Sequence, residues 1–199
     1  MDVRKRILTE AADLFFRYGI RNITMDDIAE KLGISKRTIY ETFKDKNELL
    51  INCFEEYSKE RYKVKEEIIK NSQNILAAIC SFIQSGAVAL DLLNPAFFSD
   101  MRKYHKDIWI MASQQQNKKN YSLAYRLLRK GINEGVFRKD INIDIVVKIF
   151  LAQINLLVDN EVFSPDKYSR SEVFKNMVIN FIRGIASDRG LVLIDSLES

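Results

Sequence analysis

Only 7 glycines and 2 prolines punctuate the 199 residues, so the chain has few places at which to reverse direction. An all-β fold needs a turn about every 8–12 residues, which this sequence does not supply, and helices are therefore expected to carry the fold. Hydrophobic residues at 47% and charged residues at 29% give enough apolar surface for a sizeable core, without the bias of a disordered, collagen-like or membrane chain. The length suits one compact unit or two small ones sharing a core, and excludes a large multidomain enzyme. Arg4-Lys5-Arg6 runs straight into an amphipathic pattern with no leader-like apolar stretch, and no run of about 18 uncharged apolar residues follows. A cytoplasmic protein with no membrane partner is expected, its Cys53 and Cys80 remaining thiols.

Val3, Ile7, Leu8, Ala11, Leu14, Phe15 and Tyr18 recur at helical spacing, and Gly19 followed by Ile20 reads as a left-handed stop. Thr24, three residues before Asp27, makes a capping box for a short second helix with Ile28, Ala29 and Leu32 on its apolar face and Gly33 at its end. Ile34-Ser35 leads into a third helix whose buried side is Ile39 and Phe43. A long charged helix opens at residues 45–48 and continues to Lys70, with Glu55–Lys59 and Glu66–Lys70 at supporting spacing. Further helices are expected from Asn74 to Leu93, from Asn94-Pro95 through Met101 toward Trp109, and from about Asn117 to Glu134.

Asn142 caps a helix through Leu157 that has almost no polar side, and Ser169 with Glu172 caps another that runs to Ile185. A helix apolar all round needs cover all round. Two such consecutive helices suit a bundle interface between two copies of the chain. Residues 191–199 are too few to classify.

The strongest functional signal lies between Thr24 and Leu50. Ala29 is small enough for a second helix to cross closely, Gly33 permits a sharp turn, and Ile34, Ile39 and Phe43 hold the second helix against the first. What faces outward is Ser35, Lys36, Arg37, Thr38, Tyr40, Thr42, Lys44 and Lys46, with only Glu41 and Asp45 acidic. Hydrogen-bonding and cationic groups on a short helix fit a DNA major groove, where Arg37 can make a two-pronged contact to guanine. The net charge of +4 permits such a partner without demanding it.

This run resembles the DNA-binding domain of the TetR family of bacterial transcription regulators, most closely over residues 7–50. The likeness rests on Leu14-Phe15, Gly19, the Thr24 start, Ile28-Ala29, the Gly33-Ile34-Ser35 turn, and Tyr40, Phe43, Lys46 and Leu49. It implies that Ser35, Lys36, Arg37, Thr38 and Tyr40 lie at or beside the groove, and that Thr24, Thr42, Lys44 and Lys46 approach phosphates. Thr42 stands where family members often carry His or Tyr.

Beyond residue 50 the likeness is architectural. It implies an all-α protein with a three-helix DNA-binding domain over residues 1–48 and a larger effector-binding and dimerisation domain over 49–199. It further implies homodimerisation through the last two long helices, and an unknown small-molecule effector. Phe97, Met101, Tyr104, Trp109, Tyr125 and Phe150, with Gln153 and Asn155, would give such an effector aromatic walls and a few polar groups, core packing being the alternative for each.

No cofactor is expected: there is no Gly-rich phosphate loop and no paired Cys or His for a metal, and the single histidine, His105, sits in no nucleophile motif. The leading reading is a ligand-responsive homodimeric repressor on a roughly palindromic operator. A helical carrier or partner-binding module that no longer engages DNA is the alternative, and an enzyme built on the carboxyl-terminal helices ranks last.

Overall fold

A computed structural model describes residues 2–198, which form the helices α1 (Val3–Tyr18), α2 (Met25–Leu32), α3 (Lys36–Thr42), α4 (Lys46–Asn71), α5 (Ile75–Asp91), α6 (Pro95–Tyr104), α7 (Lys106–Asn133), α8 (Ile143–Leu156), α9 (Arg170–Ile185) and α10 (Asp188–Glu198). Among the described residues there is no strand beyond one antiparallel bridge between Phe137 and Ala186. No single helix there is long and apolar enough to cross a membrane. Two compact units emerge, one comprising the chain up to Val64 together with Leu92–Gln114, the other Lys65–Asp91 together with the chain from Gln115 onward. Residues of both α4 and α7 fall in each.

In the first unit, Ile7, Ala11 and Phe15 form the fully buried stripe of α1. Thr24 accepts from the Asp27 N–H while the Asp27 carboxylate accepts from the Thr24 N–H, the reciprocal cap expected at α2. Gly33, at φ +65°, takes the left-handed conformation that turns the chain into α3. Gly19 differs from expectation: φ is +84° but ψ is 159°, so it is extended rather than left-handed helical. The cause lies far along the chain. The Asn94 N–H donates to the Phe16 carbonyl and its side-chain amide to the Arg17 carbonyl, so the start of α6 serves as the missing cap of α1. Ala96 then lies so close that a Cβ on Gly19 would meet its methyl at 3.1 Å.

Residues 106–133 are one continuous helix, where the sequence reading ends one segment near Trp109 and starts another at Asn117. The break falls earlier, at His105, whose φ of −128° and ψ of 42° close α6.

In the second unit, Ile75, Leu76 and Ile79 of α5 share a core with Val178, Ile182 and Ile185 of α9, Val147 of α8 and Ile194 of α10. Close approach of α5 and α9 depends on Gly86, since a Cβ there would lie 2.4 Å from the Phe174 ring. Arg170 is buried, its Nε donating to the Leu157 carbonyl and its Nη2 to Asn160, which ties the α8–α9 loop to the start of α9.

Two expectations change in this unit. The tail forms α10, because Ser187 caps its start and Ile194 enters the core. The cover expected all round α8 is missing in the single chain: Val147 is its only fully buried residue, and Ile145, Ile149 and Leu156 are 53%, 51% and 42% exposed.

Candidate nucleic-acid interface

α3 is held from beneath and bare on top. Ile39 and Phe43 are buried at 0% and 1%, while Ser35, Lys36, Arg37, Tyr40 and Glu41 are exposed and Thr38 and Thr42 half-buried. The Ser35 hydroxyl accepts from the Thr38 N–H at 3.1 Å and lies 2.9 Å from the Thr38 hydroxyl, which fixes the first turn. Thr42 donates its hydroxyl to the Thr38 carbonyl. Thr24 is exposed at the start of α2 with its hydroxyl engaged by Asp27. Together the Thr24 N–H and hydroxyl hold the Asp27 carboxyl below its ordinary value.

Both cations of α3 carry partners, Arg37 at the i,i+4 spacing of its own helix and Lys36 from α2, where spacing gives no sign of it. Lys36 Nζ donates to Asp26 at 2.8 Å, and that hydrogen bond raises the ammonium above its ordinary pKa. Arg37 Nε donates to Glu41 at 2.8 Å from a side chain that is 87% exposed. Such exposed pairs are screened by water and salt and open readily when a phosphate or a guanine edge competes. Lys44 is exposed in the α3–α4 turn, where its backbone N–H donates to Glu48.

Lys46 is placed differently: half-buried, it donates its Nζ to the backbone carbonyls of Ile20 and Ile23. Arg4 and Arg6 are part of α1 itself, Arg4 donating to Asn52 and lying 4.7 Å from the Phe43 ring centroid, Arg6 donating to the Leu32 carbonyl.

The residues expected around an effector fall into separate groups. In the first unit, Phe97 and Met101 are buried, and Phe97 belongs to an aromatic chain running from Phe16 through Phe97 and Phe98 to Trp109. Tyr104 is 46% exposed beneath the Arg21 guanidinium, which also donates to its hydroxyl. In the second, Tyr125 lies beside Tyr121 and Phe150 packs on Phe181 with centroids 4.6 Å apart, while Gln153 and Asn155 are exposed on α8.

His105 is half-buried, and burial followed by the nearby Lys46 charge pushes its pKa below the ordinary value. Between those two values the unfolded chain binds the extra proton, so stability rises with pH. Thermal melts from pH 7.5 down to 5 should therefore show a decline that is shallower in His105→Gln; an identical slope in the variant would refute this assignment.

Residues 7–53 match the family model of bacterial regulatory proteins, tetR family. Over 185 residues the chain is 29% identical to YvaF, an uncharacterized HTH-type transcriptional regulator of Bacillus subtilis, covering 92% of this chain and 96% of that one. It is 26% identical over 155 residues to the HTH-type transcriptional repressor KstR2 of Mycobacterium tuberculosis, covering 73% and 74% of the two chains. A TetR family regulator from Agrobacterium tumefaciens has a similar backbone, with a TM-score of 0.73 over 92% of this chain and 97% of that one; at 18% identity this likeness speaks for the fold. YvaF and KstR2 both bear the description of HTH-type transcriptional regulators, KstR2 as a repressor.

Proposed function

Since the chain belongs to the TetR family of bacterial regulatory proteins, we propose that it is a homodimeric repressor that binds a near-palindromic operator and leaves it when a small molecule occupies the helical region 49–199. One observation carries the DNA-binding reading: Lys36, Arg37 and Tyr40 stand exposed on α3 while Ile39 of the same short helix and Phe43 just after its end are buried. Residues 1–48 form the DNA-binding domain in this reading. Arg37 and Lys36 read base edges, Ser35, Thr38 and Tyr40 flank them, and Thr24, Thr42 and Lys44 lie toward phosphates.

Dimerisation is supported by the uncovered apolar stripe of α8. Repression follows the description of KstR2. Release by an effector requires that the effector prefer one arrangement of the two DNA-binding domains, because equal affinity for both shifts nothing.

The test is a titration against DNA from upstream of the gene encoding the protein, at several salt concentrations, with Arg37→Ala and Lys44→Ala alongside. Arg37→Ala should relax sequence preference by about 1–3 kcal/mol at one position. Lys44→Ala should weaken all duplexes nearly equally and reduce the salt slope by about 1. Equal, weak binding of the wild type to every duplex would favour a carrier instead.

A further inference from the structure

Lys46 belongs by sequence to the outward cations, yet its amine is turned to the protein's own backbone. Nζ donates to the Ile20 carbonyl at 2.6 Å and to the Ile23 carbonyl, and lies 5.7 Å from the Phe15 ring centroid. Ile20 and Ile23 are buried at 0% and 7%, in the loop that joins α1 to α2, where no helix supplies donors for their carbonyls. Only one weak backbone bond, from the Ile23 N–H to the Ile20 carbonyl at 3.4 Å, is recorded within that stretch. A second side chain holds the loop as well: the Arg21 N–H donates to the buried Asp100 carboxylate at 2.9 Å. The segment entering Thr24, the cap of α2, is therefore fixed by two side chains, Lys46 and Asp100.

We infer that Lys46 is a positioning residue for DNA recognition: it fixes the α1–α2 loop, and through it α2 and α3, rather than neutralising a phosphate. The inference rests on the DNA-binding reading and deepens it. Moving Nζ to a phosphate would leave the Ile20 carbonyl with only the weak 3.4 Å bond from the Ile23 N–H and take from the Ile23 carbonyl the Lys46 donor, a loss that one screened surface contact does not offset. Burial also holds the Lys46 ammonium below its ordinary pKa, as expected of a partly desolvated amine.

Two measurements on the full chain test this. In the wild type, reductive methylation of lysines is followed by mass spectrometry with and without operator DNA. Lys44 should be slowed severalfold by DNA and Lys46 left unchanged. Separately, Lys46→Met is titrated against operator and unrelated duplex across salt concentrations. Its operator affinity should fall about tenfold, more than its affinity for unrelated duplex, with the salt slope unaltered.

Protection of Lys46 equal to that of Lys44, or a slope shallower by about 1 with equal losses on both duplexes, overturns the inference. The methylation result decides the matter even if Lys46→Met does not fold. A wild type that shows no preference for any duplex and no protection of Lys44 overturns the DNA-binding reading itself, a pattern distinct from failure of this inference alone.

Discussion

Gly190→Ala should lower the melting temperature by roughly 10 °C, although alanine is the better helix former by about 1 kcal/mol. Gly190 lies in the first turn of α10, and a Cβ there would stand 2.0 Å from the Val136 carbonyl oxygen and 3.0 Å from its carbon. A clash with a flexible side-chain tip relaxes cheaply; this one is with backbone. The Val136 carbonyl accepts from the Ser187 N–H at 2.9 Å and from the Ser187 hydroxyl at 3.2 Å. The next residue, Phe137, is 1% exposed and bridges to Ala186. Moving the carbonyl aside therefore breaks the cap of α10 and disturbs the core together. Overpacking of this kind costs about 1–3 kcal/mol, and lost buried hydrogen bonds add roughly 1 kcal/mol each. Against the gain in helix propensity, a net loss of about 3 kcal/mol remains, which at about 2–4 °C per kcal/mol gives the stated shift. A thermal melt by circular dichroism reads it, and a variant melting at or above the wild type would show that α10 does not dock as described.

What was legible in the sequence was what is local. The Thr24–Asp27 box, the Gly33 turn and the start of α3 at Ser35 are each decided within a few residues, and α2 begins and ends, and α3 begins, where those signals put them. Gly19 shows the limit: its need for positive φ is local, but its extended ψ accompanies capping by Asn94, more than seventy positions away. α7 reads as two segments because the polar run 113–120 interrupts the apolar spacing, yet no breaker there ends the helix. In the candidate interface, outward placement of Lys36, Arg37 and Tyr40 follows from the period set by Ile39 and Phe43. The partners of Lys36 and Lys46 do not follow. Asp26 reaches Lys36 from another helix, and the carbonyls that hold Lys46 lie 26 and 23 residues before it, where no periodicity points.

Ile145→Glu combined with Ile149→Glu is expected to turn the proposed dimer into a monomer and to abolish the tight operator binding proposed for it, while leaving the fold of each chain intact. Ile145, Ile149 and Leu156 follow one another at intervals of four and seven along α8, so they share a face, and each is more than 40% exposed. The opposite side is already used, with Val147 in the core and Phe150 on Phe181. An apolar stripe of this kind is unfavourable in water, and in the proposed homodimer a second copy would relieve it, two-fold symmetry bringing the same stripe to meet it. Symmetry also doubles the damage, since each substitution occurs once per protomer. Losing the burial of one isoleucine costs about 1.5–3 kcal/mol, so even half of the four sites weakens association by roughly 4 kcal/mol, or about 1000-fold. Facing glutamates add like-charge repulsion. A monomer reaches one half-site only, and without the linkage between half-sites about 34–36 Å apart it forfeits an avidity of roughly 10²–10⁴. Sedimentation equilibrium at micromolar concentration and an operator titration measure the two effects, with melting behaviour confirming that each chain still folds. If the variant sediments as the wild type does, the exposed face of α8 is not what joins two copies; if it is monomeric yet holds the operator as tightly, DNA recognition does not depend on pairing.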